Sequence, residues 1–110
     1  MNVVVIRGTL LEEPIERTIA SGVTVTNWEV RVVESGVTRV VPVQWEDASR
    51  PVQAIGANDE VIVLGLVRRR YFKTGGVTAA RTEVLGRIAA KPTQKVALKR
   101  LLESGRAAIS

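Results

Sequence analysis

Apolar and β-branched residues recur in this chain at every second position, and that spacing is what most restricts its fold, because it places one set of side chains on one face of an extended strand. Val3, Val5 and Leu10 mark a first strand, with Gly8 inside it as a bulge or sharp bend. A loop carrying Glu12, Glu13, Pro14 and Glu16 follows, and a second, long strand runs from Val23 to Val33. Ser35-Gly36 is a turn, and Val37 to Trp45 form the third strand. Glu60 to Lys73 and Val77 to Ile88 form the fourth and fifth, joined by the turn Thr74-Gly75-Gly76.

Two stretches depart from this period. Between Glu46 and Asn58, Asp47, Ser49, Pro51 and Gly56 interrupt the strand pattern, and the Ala, Val, Gln and Ile between them suit a short helix capped by Asp47 or Ser49. Beyond Pro92, Thr93 to Glu103 set Val96, Ala97, Leu101 and Leu102 near one helical face among Lys95, Lys99 and Arg100, with Gly105 as the expected stop. Five strands with a short helix between the third and fourth is the element order of the OB-fold, a Greek-key barrel. The expected architecture is therefore an all-β, five-stranded barrel over residues 1–90, followed by a basic C-terminal helix or tail over 91–110.

Composition limits the function classes. With 45% apolar and 25% charged residues the chain suits a globular protein. Its longest apolar stretch, Val61 to Val67, is far below the roughly 20 residues a membrane helix needs. The opening Met1 to Arg7 has neither a basic leader nor a small-residue cleavage site, so the expected location is the cytoplasm and no membrane partner is expected. Histidine and cysteine are absent, which removes the usual general base near neutral pH and the thiol nucleophile. Gly75-Gly76 lacks the Gly-Lys-Ser/Thr of a phosphate loop, and Glu12, Glu13 and Glu16 match no calcium loop. No enzymatic activity, cofactor or metal is expected.

Charge points toward a polyanion. Residues 1–60 hold five basic and nine acidic side chains, and residues 61–110 hold eleven and two, so the halves carry −4 and +9. The densest cationic segment is Arg68-Arg69-Arg70-Tyr71-Phe72-Lys73, where two aromatics sit among four cations. Single-strand binders need both groups, since phosphates repeat their charge and every base offers a π-face. Alternation puts Arg68, Arg70 and Phe72 on one face and Arg69, Tyr71 and Lys73 on the other. The competing reading is an exposed hairpin whose arginines give only solubility. Glu83, in the strand alongside, is a candidate partner for one of those arginines.

The two tryptophans differ in parity. Trp28 aligns with Val30 and Val32 and belongs to the core, whereas Trp45, which shares a face with Arg39, Val41 and Val43, is read as stacking on bases in preference to burial, and Arg39 is a candidate DNA-binding residue with it. The fourth strand begins apolar on both faces, with Val61, Val63 and Val67 on one and Ile62, Leu64 and Leu66 on the other. The second face needs a cover, either the C-terminal helix or a second subunit, and Ile62, Leu64 and Leu66 are the candidate oligomer interface.

From Asn2 to about Ile88 the chain resembles the bacterial single-stranded-DNA-binding protein family. The resemblance is carried by Asn2 to Leu10 with Glu13-Pro14, Ser21-Gly22, Glu60 to Gly65, Arg68 to Phe72 and Arg81 to Val84. It implies an OB-fold, sequence-tolerant binding of single-stranded DNA in replication, recombination or repair, and assembly into dimers or tetramers. It also implies stacking roles for Phe72 and Trp45. Two tryptophan positions of the family fall here near Gly36 and Arg39, and its acidic, phenylalanine-tipped tail has no counterpart in Ala107 to Ser110, so recruitment of partner proteins by that route is not expected. An alternative is an OB-fold that serves protein interaction, oligomerisation or a primosome-type accessory role with weak or no binding of single strands.

Overall fold

A computed structural model describes residues 2–46 and 54–109. The described residues form six strands, β1 (Val4–Leu10), β2 (Ile15–Thr18), β3 (Thr24–Glu34), β4 (Val37–Glu46), β5 (Glu60–Thr74) and β6 (Val77–Ala90), followed by one helix, α1 (Lys95–Ile109). The strand order is β1-β5-β6-β4-β3-β2, and β1 also pairs with β3. That second pairing closes β1, β3, β4, β5 and β6 into a five-stranded barrel, the OB-fold, with β2 attached to the outer end of β3. All pairings are antiparallel except β4 with β6.

Closure depends on a residue without a side chain. β1 pairs with β5 from Val4 to Thr9 and turns onto β3 at Thr9 and Leu10. A Cβ on Gly8 would lie 2.3 Å from the Arg31 carbonyl oxygen, so only glycine lets the strands approach there. The β1–β5 register is continuous through Gly8, which makes it the sharp bend rather than a bulge. The bulge is on β6: Leu64 pairs with Ile88 and Gly65 with Gly86, leaving Arg87 as the extra residue.

The apolar residues divide into two clusters. Leu10, Trp28, Val30, Val43, Trp45, Val61, Val63, Val84 and Ala89 fill the barrel. Ile62, Leu64, Ala90 and Leu101 form a second cluster outside it, with Ala97 and Leu98 packed against them. Within the single chain, α1 lies over the second face of β5. Ile62 and Leu64, expected as an oligomer interface, are only 8% and 6% exposed within the single chain because α1 lies over them. Leu66 is half-buried. The helix also continues through Gly105 to Ile109 rather than ending there. A Cβ on Gly105 would stand 3.5 Å from Leu64 Cδ1, so the helix is seated on the sheet at this point. That packing offsets the helical cost of glycine, about 1 kcal/mol.

The helix expected between Glu46 and Asn58 falls mainly on 47–53, outside the described residues. The described remainder is irregular, with a turn at Ala57-Asn58. Gly56 N–H donates to Asp59 Oδ2 at 2.9 Å and Ala57 N–H to Glu13 Oε1 at 3.0 Å. Glu13 thus clamps this loop. The Gly56 N–H, followed by Lys91, holds the Asp59 carboxyl below its ordinary range. No helix among the described residues is long and apolar enough to cross a membrane.

If α1 is the cover of β5, Leu101→Ala, which empties a fully buried site, lowers stability by about 2–5 kcal/mol. The loss in urea denaturation is expected to be independent of protein concentration; a loss that shrinks as the protein is concentrated would mean that a second subunit supplies the cover.

Candidate nucleic-acid interface

β4 and β6 run side by side over only two residue pairs, Val43 with Val84 and Gln44 with Leu85. The residue before Val43 is Pro42, which has no N–H to continue the ladder toward β6, while the β3–β4 ladder runs on past it. The β3–β4 arm continues to Glu34 and Val37, and the β5–β6 arm to Thr74 and Val77. A groove of about 500 Å³ lies between these arms. From β2, β3 and β4 it receives Ile15, Arg17, Asn27, Glu29 and Pro42; from β5 and β6 it receives Arg70, Phe72, Arg81 and Glu83.

Its charges are largely paired. Glu83 is 3% exposed. Arg68 Nη2 donates to Glu83 Oε1 at 3.1 Å and to Gln44 Oε1 at 2.6 Å, and Gln44 Nε2 donates in turn to Asn27 Oδ1 at 3.3 Å. Arg70 Nε lies 3.3 Å from the same Glu83 oxygen in an electrostatic contact that lacks hydrogen-bond geometry. At the mouth, Arg81 Nη2 donates to Glu29 Oε1 at 2.9 Å, joining β6 to β3 across the intervening β4. The buried carboxylate therefore anchors the base of the β5–β6 arm. The partner foreseen for Glu83 is present, and it is two arginines instead of one.

The residues singled out from the sequence separate by face. Phe72 lines the groove and is 42% exposed, with Arg70 beside it. Arg68 is on the same face of β5 but is held by Gln44 and Glu83. Arg69, Tyr71 and Lys73 occupy the opposite face; Tyr71 is 67% exposed, and the Arg69 guanidinium lies 5.7 Å from its ring centroid. Arg39 is exposed on β4, opposite Val32.

Trp45 requires correction. It is wholly buried, its ring centroid 5.0 Å from that of Trp28, and it presents no face on which a base could stack. Its parity with Val43 is what governs, since that side of β4 faces the barrel interior at this end. Gly86 makes the seat, because a Cβ there would approach the indole ring to 2.6 Å.

Sequence reasoning missed Ile15, Arg17, Asn27, Glu29, Pro42 and Arg81 as groove residues. A signal existed for two of them: Asn27 and Glu29 are the polar positions alternating with Trp28 and Val30 on a strand whose other face is core. β2 had been read as loop, and the approach of β6 to β3 is a long-range feature with no local signature.

No family model matches the chain, and no curated protein matches it. Among solved structures, the dimeric structure of the N-terminal domain of PriB protein from Thermoanaerobacter tencongensis is similar to it at a TM-score of 0.64 and 14% identity, covering 82% of this chain and 94% of that one. The likeness is one of fold.

Gly86→Ala is expected to cost about 1–3 kcal/mol, because the new methyl group drives the Trp45 ring from its seat. Acrylamide should quench the tryptophan emission of the parent weakly and that of the variant more strongly. Strong quenching of the parent would contradict the burial of both indoles.

Proposed function

We propose that this chain binds single-stranded DNA stoichiometrically and largely without regard to sequence, in replication, recombination or repair, and that it catalyses no reaction. The observation that carries this reading is Phe72, a half-exposed aromatic on the wall of an open groove, flanked by cations, on an OB-fold barrel. Ile15, 57% exposed and lining the same groove, adds a second apolar surface for bases. Bases in a duplex are paired and stacked on one another, so their π-faces are not free for Phe72. The proposed ligand is therefore a single strand.

The ion pairs divide the labour among the arginines. Arg68 and Arg70 share Glu83, so much of their charge is already answered. Phosphates gain more from Arg17 at the groove and from Arg69, Lys73 and Arg39, none of which has an ion-pair partner described here. A strand that wraps the β5–β6 arm meets Phe72 on one face and Arg69, Tyr71 and Lys73 on the other.

We also propose that the chain is a homo-oligomer, a dimer or tetramer, on the precedent of the dimeric PriB domain it resembles. That α1 covers Ile62 and Leu64 within one chain favours an interface elsewhere. A second reading, an OB-fold used for protein interaction or as a primosome-type accessory module, is favoured by one observation: the burial of Trp45 leaves few aromatic platforms.

Titration with labelled oligonucleotides at several salt concentrations separates the two readings. Phe72→Ala is expected to weaken binding to a single strand by about 1–3 kcal/mol without altering its salt dependence. Arg69→Ala and Lys73→Ala should each lower the salt slope by about 0.7 if each contacts one phosphate. Absence of binding by the parent chain would leave the interaction module as the better account. Light scattering should report a dimer or larger assembly at micromolar concentration; a monomer would refute the proposed assembly.

A further inference from the structure

The groove contains two carboxylates where a phosphate-binding track would be expected to have none. Of its charged lining residues, Arg17, Arg70 and Arg81 are balanced in large part by Glu29 and Glu83. Glu83 is buried and structural. Glu29 is not: its side chain is 41% exposed at the mouth, and of its two oxygens only Oε1 is engaged, by Arg81. A half-exposed carboxylate repels a phosphate but accepts from the N–H groups on the edge of a base.

Asn27 gives that edge a second contact. It lies two residues before Glu29 on the same face of β3, about 6.7 Å away along the strand, and lines the same groove. Its Oδ1 accepts the Gln44 amide, which leaves the Asn27 NH₂ to donate. An amide donor beside a carboxylate acceptor, within a groove that also offers Phe72 for stacking, is a reading site for base edges.

From this we infer that Glu29 is a specificity-determining residue that favours bases bearing an exocyclic amino group over thymine, with Asn27 donating to the neighbouring acceptor of the same base. The inference rests on the proposed binding of single-stranded DNA and refines it: backbone and stacking contacts are sequence-tolerant, and the carboxylate adds a bias. Cytosine, adenine and guanine each present an amino N–H for the Glu29 carboxylate. Thymine has a carbonyl oxygen where cytosine has its amino group, and its one donor, N3–H, is recessed between two carbonyl oxygens that repel the carboxylate, whereas the cytosine amino group projects from the ring edge.

The pyrimidine pair makes the cleanest test, since cytosine and thymine are close in size and differ mainly in that group. Fluorescence anisotropy with dye-labelled oligo(dC) and oligo(dT) of equal length, at the same salt and mildly alkaline pH, is expected to show oligo(dC) bound at least about fivefold more tightly by the parent chain. Glu29→Gln should bring the ratio close to one, because an amide serves donor and acceptor edges alike. Arg81→Ala, which releases the Glu29 carboxylate without removing it, should keep the preference for oligo(dC) even if both affinities change. Equal affinities in the parent, or a preference that survives Glu29→Gln, would overturn the inference while single-strand binding stands. Failure of the parent chain to bind either oligonucleotide would instead remove the binding proposal itself, and the inference with it.

Discussion

The barrel needs, besides the β1–β3 closure at Gly8, a parallel contact only two residue pairs long, where Val43 and Gln44 of β4 meet Val84 and Leu85 of β6. β1 and β3 likewise share only two pairs, whereas every other antiparallel ladder has four or more, so these two junctions are where the sheet has least backbone support. Side chains supply the remainder. On the inside, Trp45 at the end of β4 lies on Gly86 of β6 and against Trp28 of β3, so one indole cluster joins three strands. On the outside, Gln44 is tied through Arg68 to Glu83, which joins the same strands on the opposite face. Pro42 then prevents the ladder from extending, and the arms separate into the groove. The groove is thus a consequence of how the barrel closes.

The same contact explains why the most basic segment of the chain is electrostatically quieter than its composition suggests. Burying Glu83 costs several kcal/mol of desolvation unless cations compensate it, and two arginines are drawn in to do so. Among the cations beyond that anchor are Arg69 and Lys73 on the far face of the β5–β6 arm, Arg17 on β2 and Arg39 on β4. The groove lining, with Arg17, Arg70 and Arg81 against Glu29 and Glu83, is left close to neutral. A basic run in a sequence counts charges; which of them are available depends on the carboxylates the fold brings beside them.

Much of the barrel was legible because its signals are local. Period-two alternation, the Ser35-Gly36 and Gly75-Gly76 turns and the doubly apolar start of β5 place five strands within a few residues of their observed limits. β2 escaped notice because its four residues are all exposed, so no apolar face marks it. α1 extends beyond Gly105 because contact with Leu64, a tertiary effect, outweighs the residue's propensity. For the site, parity along β5 correctly separated Phe72 from Tyr71. Parity along β4 put Trp45 with Val43 but could not say that this face is interior at Trp45 and exposed at Arg39. That difference arises because the β3–β4 arm extends past the end of the barrel.

Fourteen per cent identity together with a TM-score of 0.64 is intelligible on these terms. A closed barrel of this kind demands alternation, a few positions where backbones must meet without a Cβ, and a covered second face for its longest strand. These are met here by Gly8, Gly86 and α1, and most other positions are free to vary. Asn27, Glu29, Arg81 and Phe72 lie outside the barrel core, and the side chains of the first three are tied by hydrogen bonds across the strands. Glu83 is the exception, lining the groove while anchoring the arm, and any change of ligand preference through that residue would first have to replace the support it gives to closure.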